Sequence, residues 1–105
     1  AGGGIFNSSG TLTVLGTAPD GRIVFDRNLT GGAGGGIYND ANGDVNISTA
    51  TFRGNEAGNI LGGGAIFNAG GTLSVANTVF NAPPLNTPGN ITGDFVDAGG
   101  NVGLS

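Results

Sequence analysis

The segment NDANGD, at residues 39–44, comes closest in this 105-residue chain to a metal-binding motif. It places the oxygen-bearing side chains of Asp40, Asn42 and Asp44 at alternate positions, and oxygen ligands of this kind wrap calcium. The glycine lies too early for an EF-hand-type loop, however, and no glutamate follows to supply a bidentate ligand. We therefore favour a turn rich in asparagine and aspartate, keep these three residues as weak metal candidates, and expect no cofactor.

The titratable residues offer few ways to build an active site. The chain has seven acidic residues, three arginines and no histidine, lysine or cysteine, so neither a Ser-His-Asp nor a Cys-His site can be assembled. Glycoside hydrolysis needs two carboxyl groups about 5 to 10 Å apart. Asp94 and Asp97 flank Phe95 at a spacing that strand alternation does not bring to one face. We therefore expect no enzymatic activity.

The composition is that of a weakly charged chain that can still bury a core. Glycine supplies 24 residues, charged residues make up 10% and hydrophobic residues 37%, which differs from the pattern of disordered chains. The formal net charge of −4 opposes binding to nucleic acid or to an anionic membrane. No apolar run approaches the roughly 18 residues of a membrane span. We expect one domain that neither binds nucleic acid nor inserts into a membrane.

A repeat of about thirty residues organises the glycines. Glycine triplets open three copies, GGGIFN at 2–7, GGGIYN at 34–39 and GGGAIFN at 62–68. Each copy continues with two alternating aliphatic residues and then a phenylalanine. These residues are Leu12, Val14 and Phe25 in the first copy, Val45, Ile47 and Phe52 in the second, and Leu73, Val75 and Phe80 in the third.

The periodicity predicts the fold class. Alternation with a period of two indicates β-strands, since helices need apolar residues three and four positions apart. Three short extended segments per copy, near 3–7, 11–14 and 23–26 in the first, indicate a solenoid. We predict an all-β, right-handed parallel β-helix of about three to four coils, with roughly 28–32 residues per coil.

The repeat divides this single domain into coils. The first copy carries a loop insertion near 15–22, around the segment GTAPDG. A proline-rich loop at 82–89 leaves the third coil, because proline cannot donate to a hydrogen-bonded ladder. The predicted coils are 1–33, 34–61, 62–89 and a degenerate C-terminal coil at 90–105.

Matching offsets predict which side chains stack from coil to coil. The aliphatic residues and phenylalanines would form ladders along a narrow interior, and stacked asparagines would pass amide hydrogen bonds between coils. Asp26 and Arg53 share the slot after phenylalanine, which predicts an exposed ion pair worth about 0 to 1 kcal/mol. The predicted asparagine ladders are Asn7, Asn39 and Asn68 after the glycine triplets, and Asn28 and Asn55 three residues after phenylalanine.

Phe6, Tyr38 and Phe67 also share one slot. If the neighbouring isoleucine and asparagine face inward, alternation turns these rings outward into a surface aromatic stripe. The alternative has the rings inward and the isoleucines outward. We favour the outward arrangement, with the rings covered by a loop in preference to stacking on sugars.

In these motifs the chain resembles the polymorphic outer-membrane-protein repeats of bacterial surface β-helix proteins such as autotransporters. Their signature is a GGAI-type tetrapeptide with FxxN downstream. The glycine-triplet motifs match it, as do FDRN at 25–28 and FRGN at 52–55, whereas the third copy departs with FNAP at 80–83. The resemblance covers residues 1 to about 82. It implies a parallel β-helix at the cell surface or outside the cell, with no catalytic residue to transfer.

We therefore expect a non-enzymatic, extracellular structural or adhesive β-solenoid. An uncovered parallel coil presents unpaired backbone groups, so its open ends would meet copies of the chain, in a head-to-tail filament, or further coils of a longer parent. One alternative is a fragment of a larger autotransporter-like adhesin. Another is a carbohydrate-binding or carbohydrate-processing β-helix, which only the aromatic stripe supports.

Overall fold

Parallel β-strands form the regular structure of the protein. A computed structural model describes residues 3–17, 20–58 and 62–104. This part of the chain has ten strands and no helix, so the all-β prediction is confirmed. Among the same residues there is accordingly no helix long and apolar enough to span a membrane.

Two strands are long and the others are short. In chain order they are β1 (Ile5–Leu15), β2 (Ile23–Asp26), β3 (Leu29–Thr30), β4 (Ile37–Ser48), β5 (Ala50–Arg53), β6 (Glu56–Ala57), β7 (Ile66–Asn68), β8 (Thr72–Ala76), β9 (Ile91–Thr92) and β10 (Val96–Asp97). Along the second half of β4 buried aliphatic residues alternate with more exposed polar ones. This is how a period of two in the sequence produces a half-buried strand.

Each strand pairs in parallel with its counterpart in a neighbouring copy of the repeat. A curled six-stranded sheet runs β10-β8-β4-β7-β9, with β1 also paired to β4, and two small sheets pair β2 with β5 and β3 with β6. Ile5 lies opposite Ile37, and Ile37 lies opposite Ile66. Phe25 likewise lies opposite Phe52. The offsets of the sequence repeat are therefore also the register of the sheets.

The long strands differ from the sequence-based expectation. The sequence predicts separate strands near 3–7 and 11–14, and a turn at 39–44, but β1 and β4 continue through these positions, so both predictions are wrong. The β1–β4 pairing shifts register between Asn7 and Ser9. A bulge of this kind bends a strand while the flanking residues stay paired, so the chain changes direction without leaving the sheet.

The inward side chains of the strands form one hydrophobic core. Leu12 packs against it while remaining partly exposed. The core therefore takes in the aliphatic and phenylalanine positions that the repeat matches. Its buried members are Val14, Phe25, Ile37, Val45, Ile47, Ala50, Phe52, Ala65, Ile66, Leu73, Val75 and Phe80.

The glycine triplets lie where the backbone adopts a positive φ and where the backbone of the neighbouring copy is very close. Gly34 and Gly63 occupy the same slot with φ of 73° and 68°, a region that side chains rarely adopt. Two positions later, a Cβ on Gly36 would lie 2.6 Å from the carbonyl oxygen of Ala65 in the next copy. The triplets are therefore needed for the conformation and for the close approach of neighbouring backbones.

The extra residues of the first copy form a tight connection between β1 and β2. Thr17 and Gly21 exchange two backbone hydrogen bonds, of 2.9 and 2.8 Å. Part of the predicted loop insertion near 15–22 falls on Ala18 and Pro19, which lie outside the described residues. The predicted coil limits at 1, 61 and 105 lie outside them as well.

A charge placed in the core tests the inward assignment of β4. Val45 is fully buried, so Val45→Asp would bury an unpaired carboxylate and prevent folding. We expect circular dichroism and urea titration to show no cooperative transition for this variant. The control is Asn46→Asp on the adjacent exposed position, which should unfold like the parent chain. Cooperative unfolding of Val45→Asp would mean that the inward face of β4 is misassigned.

Candidate functional site

The first asparagine ladder consists of Asn7, Asn39 and Asn68. The Nδ2 of Asn7 donates to the Oδ1 of Asn39 over 3.0 Å, and the Nδ2 of Asn39 donates to the Oδ1 of Asn68 over 3.0 Å. The Nδ2 of Asn39 also donates to the carbonyl of Thr72 over 3.1 Å. At the far side the Nδ2 of Asn68 donates to the carbonyl of Asp94 over 2.7 Å. The amides therefore form one continuous chain across three copies.

A glycine makes room for this ladder. A Cβ on Gly43 would collide with the Oδ1 of Asn39 and lie 2.7 Å from the Nδ2 of Asn7. Gly71 is similarly close, since a Cβ there would lie 2.8 Å from the Nδ2 of Asn39. The strand bend beside the ladder therefore has no space for a side chain, which explains glycine in the segment NDANGD.

The second ladder consists of Asn28, Asn55 and Asn86, and Asn90 extends its chain of hydrogen bonds. The backbone N–H and the Nδ2 of Asn28 both donate to the Oδ1 of Asn55, each over 3.0 Å. The same two groups of Asn55 donate to the Oδ1 of Asn86 over 3.0 and 2.9 Å. The Nδ2 of Asn86 then donates to the Oδ1 of Asn90 over 2.9 Å. Asn28, Asn55 and Asn86 are therefore paired across neighbouring copies, whereas Asn90 lies beside Ala65 and extends the hydrogen-bonded chain from Asn86.

Asn86 and Asn90 were not predicted from the sequence as ladder residues. The third copy lacks an asparagine three residues after Phe80, but Asn86 follows it after the extra residues of the proline-rich loop. That loop returns to the small sheets, where Thr87 bridges Glu56 in parallel. The asparagine is therefore displaced along the chain but lies in the same ladder. The signal available in the sequence was FNAPPLN, an FxxN motif with three residues inserted.

A phenylalanine stack runs beside the second ladder. The rings of Phe25 and Phe52 lie 4.5 Å apart at an angle of 3°, and those of Phe52 and Phe80 lie 5.3 Å apart at 9°. The Nδ2 of Asn55 donates to the carbonyl of Phe25 over 2.8 Å. Stacking and amide hydrogen bonding thus fix the same corner of each copy.

The outer aromatic stripe comprises Phe6, Tyr38 and Phe67. Tyr38 lies 5.4 Å from Phe6 at an angle of 49° and 5.3 Å from Phe67 at 17°. Phe6 is 48% exposed, and the other two rings are partly exposed, whereas the adjacent Ile37 and Ile66 are fully buried. The rings therefore lie on the outer side of the curled sheet.

The weak metal candidates lie along β4. The Oδ1 of Asp40 accepts a hydrogen bond from the backbone of Ala41 over 2.8 Å, and the Oδ1 of Asp44 accepts one from the hydroxyl of Thr72 over 2.6 Å. Asn42 is exposed. Within residues 3–17, 20–58 and 62–104, no three or more histidine, cysteine, aspartate or glutamate side chains lie together as a metal-binding group.

The remaining acidic candidates make structural contacts. The predicted ion pair between Asp26 and Arg53 is confirmed, with Nε and Oδ1 3.2 Å apart. Arg27, which the sequence analysis did not include, contacts the same carboxylate over 2.8 Å. The Oδ1 of Asp97 accepts hydrogen bonds from the Nδ2 of Asn101 over 2.7 Å and from the backbone of Gly99 over 3.0 Å. These carboxylates therefore hold the local backbone and neighbouring side chains.

An open groove lies on the outer side of β4 and β8. Its volume is about 300 Å³, and one wall is the ring of Phe95. Polar side chains of the two strands form its floor, and they include Asp44, Asn46, Thr72 and Ser74. The groove therefore combines an apolar wall with carboxylate, amide and hydroxyl groups.

Comparison of the chain with family models, with curated proteins and with solved structures finds no match. The features of this chain that bear on its function are therefore the ladders, the stacked rings and the outer surface.

Removing one amide from the second ladder should be costly. Asn55→Ala leaves two donors of Asn28 and the Oδ1 of Asn86 without their partner. At roughly 1–3 kcal/mol for each unsatisfied buried group, we expect the free energy of unfolding to fall by about 3 kcal/mol or more. Urea titration measures this. The exposed Asn42→Ala should change it by less than about 0.5 kcal/mol, and equal effects of the two substitutions would contradict a structural role for the ladder.

Proposed function

We propose that the chain winds as a right-handed parallel β-solenoid and acts as a non-enzymatic structural or adhesive module at the cell surface or outside the cell. The observation that carries this proposal is the parallel, in-register pairing of equivalent positions in three separate sheets. A chain whose strands pair in parallel after each copy must return to the same side each time. Parallel crossovers of this kind are right-handed in nearly all proteins.

The buried polar groups support a structural role. Asn39 and Asn55 have no exposed surface and Asn86 has 5%, and each amide is engaged in a ladder. Buried amides that are fully hydrogen bonded make a structure rigid and specific. Since the chain also lacks histidine, cysteine and lysine, its buried polar side chains fit a scaffold better than a reaction site.

The surface or extracellular location rests on the resemblance of the glycine-triplet and FxxN motifs to surface β-helix proteins. The third copy extends that resemblance, since Asn86 occupies the ladder position that FNAP lacks. A solenoid of this type acts through its shape and its regular outer surface. The proposed role of this module is the same if the chain is a fragment of a larger autotransporter-like adhesin.

Paired cysteines test the solenoid winding. Asp26 and Arg53 are opposite residues of β2 and β5, and neighbouring strands bring such positions within the Cα separation of about 4.4–6.8 Å that a disulfide needs. Because the chain has no cysteine of its own, the double variant Asp26→Cys, Arg53→Cys should oxidise to one intramolecular disulfide. Gel mobility and mass spectrometry report it.

The matched control moves one thiol to another sheet. In Asp26→Cys, Thr72→Cys the second cysteine lies on β8 of the six-stranded sheet, so we expect no intramolecular disulfide under the same conditions. Equal cross-linking of both pairs would contradict the proposed winding.

A second candidate function is carbohydrate binding, which the outer aromatic stripe and the groove beside Phe95 favour. Aromatic faces pack against the apolar faces of sugar rings, and the groove adds carboxylate, amide and hydroxyl partners nearby. The two features lie on the outer side of the same curled sheet. A lectin-like module would bind glycans there without turning them over.

Removal of one ring tests this candidate. If oligosaccharides stack on the stripe, Tyr38→Ala should weaken binding by roughly 1 kcal/mol, about fivefold in Kd, whereas the exposed Thr13→Ala should leave it unchanged. Titration calorimetry with a panel of soluble oligosaccharides measures Kd, and a reducing-end assay measures turnover. Equal affinities of the two variants would exclude the stripe as the glycan site. Release of reducing ends by the unsubstituted chain would overturn the non-enzymatic proposal.

A further inference from the structure

Both asparagine ladders run in the same direction along the stack of copies. In the first ladder Asn7 donates to Asn39, and in the second Asn28 donates to Asn55. In every bond between ladder asparagines of successive copies, the Nδ2 of one copy therefore donates to the Oδ1 of the following copy. Since a ladder of this kind has a donor end and an acceptor end, the two faces of the stack differ chemically.

The donor ends of both ladders are already used. The Nδ2 of Asn68 donates to the carbonyl of Asp94 over 2.7 Å, and the Nδ2 of Asn90 donates to the carbonyl of Gly103 over 2.9 Å. We call the face formed by residues 90–104 the closed face. Backbone carbonyls at this face accept the last ladder hydrogens, so it presents no ladder donor among the described residues.

A charge also interrupts the aliphatic column at the closed face. Val14, Ile47 and Val75 lie opposite one another in successive copies, and the next residue in this column is Asp97. Stacking another coil on this position would desolvate a carboxylate against an aliphatic side chain, which is unfavourable. The closed face therefore opposes further stacking.

The acceptor ends of the ladders are unused. Within the described part of the chain, no donor hydrogen bonds to the Oδ1 of Asn7 or to the Oδ1 of Asn28. We call the outer edge of β1, β2 and β3 the open face. Asn7 belongs to β1, and Asn28 lies between β2 and β3, so both acceptors are on this edge.

The backbone groups of Phe6 and Leu29 lie on the outer side of the open face. Consecutive residues of a parallel strand direct their N–H and C=O groups to alternate sides. Because the N–H of Ile5 donates to the carbonyl of Gly36, the backbone groups of Phe6 point outward. The carbonyls of Asn28 and Thr30 accept from the next copy, so the backbone groups of Leu29 point outward too.

We propose that the open face binds one further parallel coil of the same repeat, whose two ladder asparagines donate their Nδ2 hydrogens to the Oδ1 atoms of Asn7 and Asn28. This inference rests on the solenoid proposed above and specifies its partner. The closed face of a second copy does not fit, because it lacks ladder donors and would bring Asp97 onto Val14. A second copy turned around does not fit either, since it would oppose acceptor to acceptor. The partner is therefore a coil outside these 105 residues.

A chain carrying one added coil tests this proposal. A duplicate of residues 34–61 is placed directly before Gly2, which sets its two asparagines, the copies of Asn39 and Asn55, above Asn7 and Asn28. The control carries Asn39→Asp and Asn55→Asp in the duplicate only, where each carboxylate removes the donor and meets an acceptor oxygen. Hydrogen exchange of the backbone amides of Phe6 and Leu29, followed by NMR, reports whether the open face is covered.

We expect these two amides to exchange about tenfold more slowly, or slower still, with the added coil than in the 105-residue chain. In the aspartate control we expect most of that protection to be lost. If the amides of Phe6 and Leu29 exchange at unchanged rates with the added coil while the amides of β4 stay protected, the proposed partner is wrong but the solenoid is not contradicted. Rapid exchange throughout β4 would instead overturn the solenoid. Protection of Phe6 that rises with the concentration of the 105-residue chain would show that copies cover the face, and would overturn the proposal.

Discussion

The structure depends on keeping asparagine side chains buried and fully hydrogen bonded. A buried amide without partners is expensive, because it loses its hydrogen bonds to water and gains none. Asn39 and Asn55 meet this condition only when an asparagine of the neighbouring copy lies in the same slot. The ladders therefore fix the register of one copy on the next more strictly than aliphatic packing alone, which tolerates exchange among residues of similar size.

The other features of the fold follow from this register. Once equivalent slots lie opposite one another, the rings of Phe25, Phe52 and Phe80 stack with nearly parallel planes. Neighbouring backbones also approach too closely for a Cβ at positions such as Gly36 and Gly43. The abundance of glycine and asparagine thus has a structural cause, although a similar composition without a period would indicate disorder.

The same geometry determines which surfaces can contact a ligand or partner. Inward positions are occupied by the core and the ladders, so a ligand or partner meets the outer aromatic stripe, the groove beside Phe95, or the faces of the stack. The two faces are unlike because an amide ladder has a direction. In the proposed solenoid a further coil would fit one face and be opposed by the other, which favours ordered addition over open-ended self-association.

The sequence by itself determined the periodicity, and with it the all-β class and the slots that Asn39, Asn55 and Phe52 share with their counterparts. These follow from spacing alone, because strand alternation and a fixed repeat length map directly onto faces and neighbours. Only the tertiary structure decided three matters. It showed that β1 and β4 bend within a continuous strand, since a bulge depends on the pairing partner and leaves little trace in composition. It brought Asn86, which lies within a proline-rich loop, into the second ladder and placed Asn90 beside it. It also gave the ladders their direction. The sequence shows that an asparagine is present but not which way its amide is oriented, because that depends on the partners that the fold places beside the oxygen and the NH2 group.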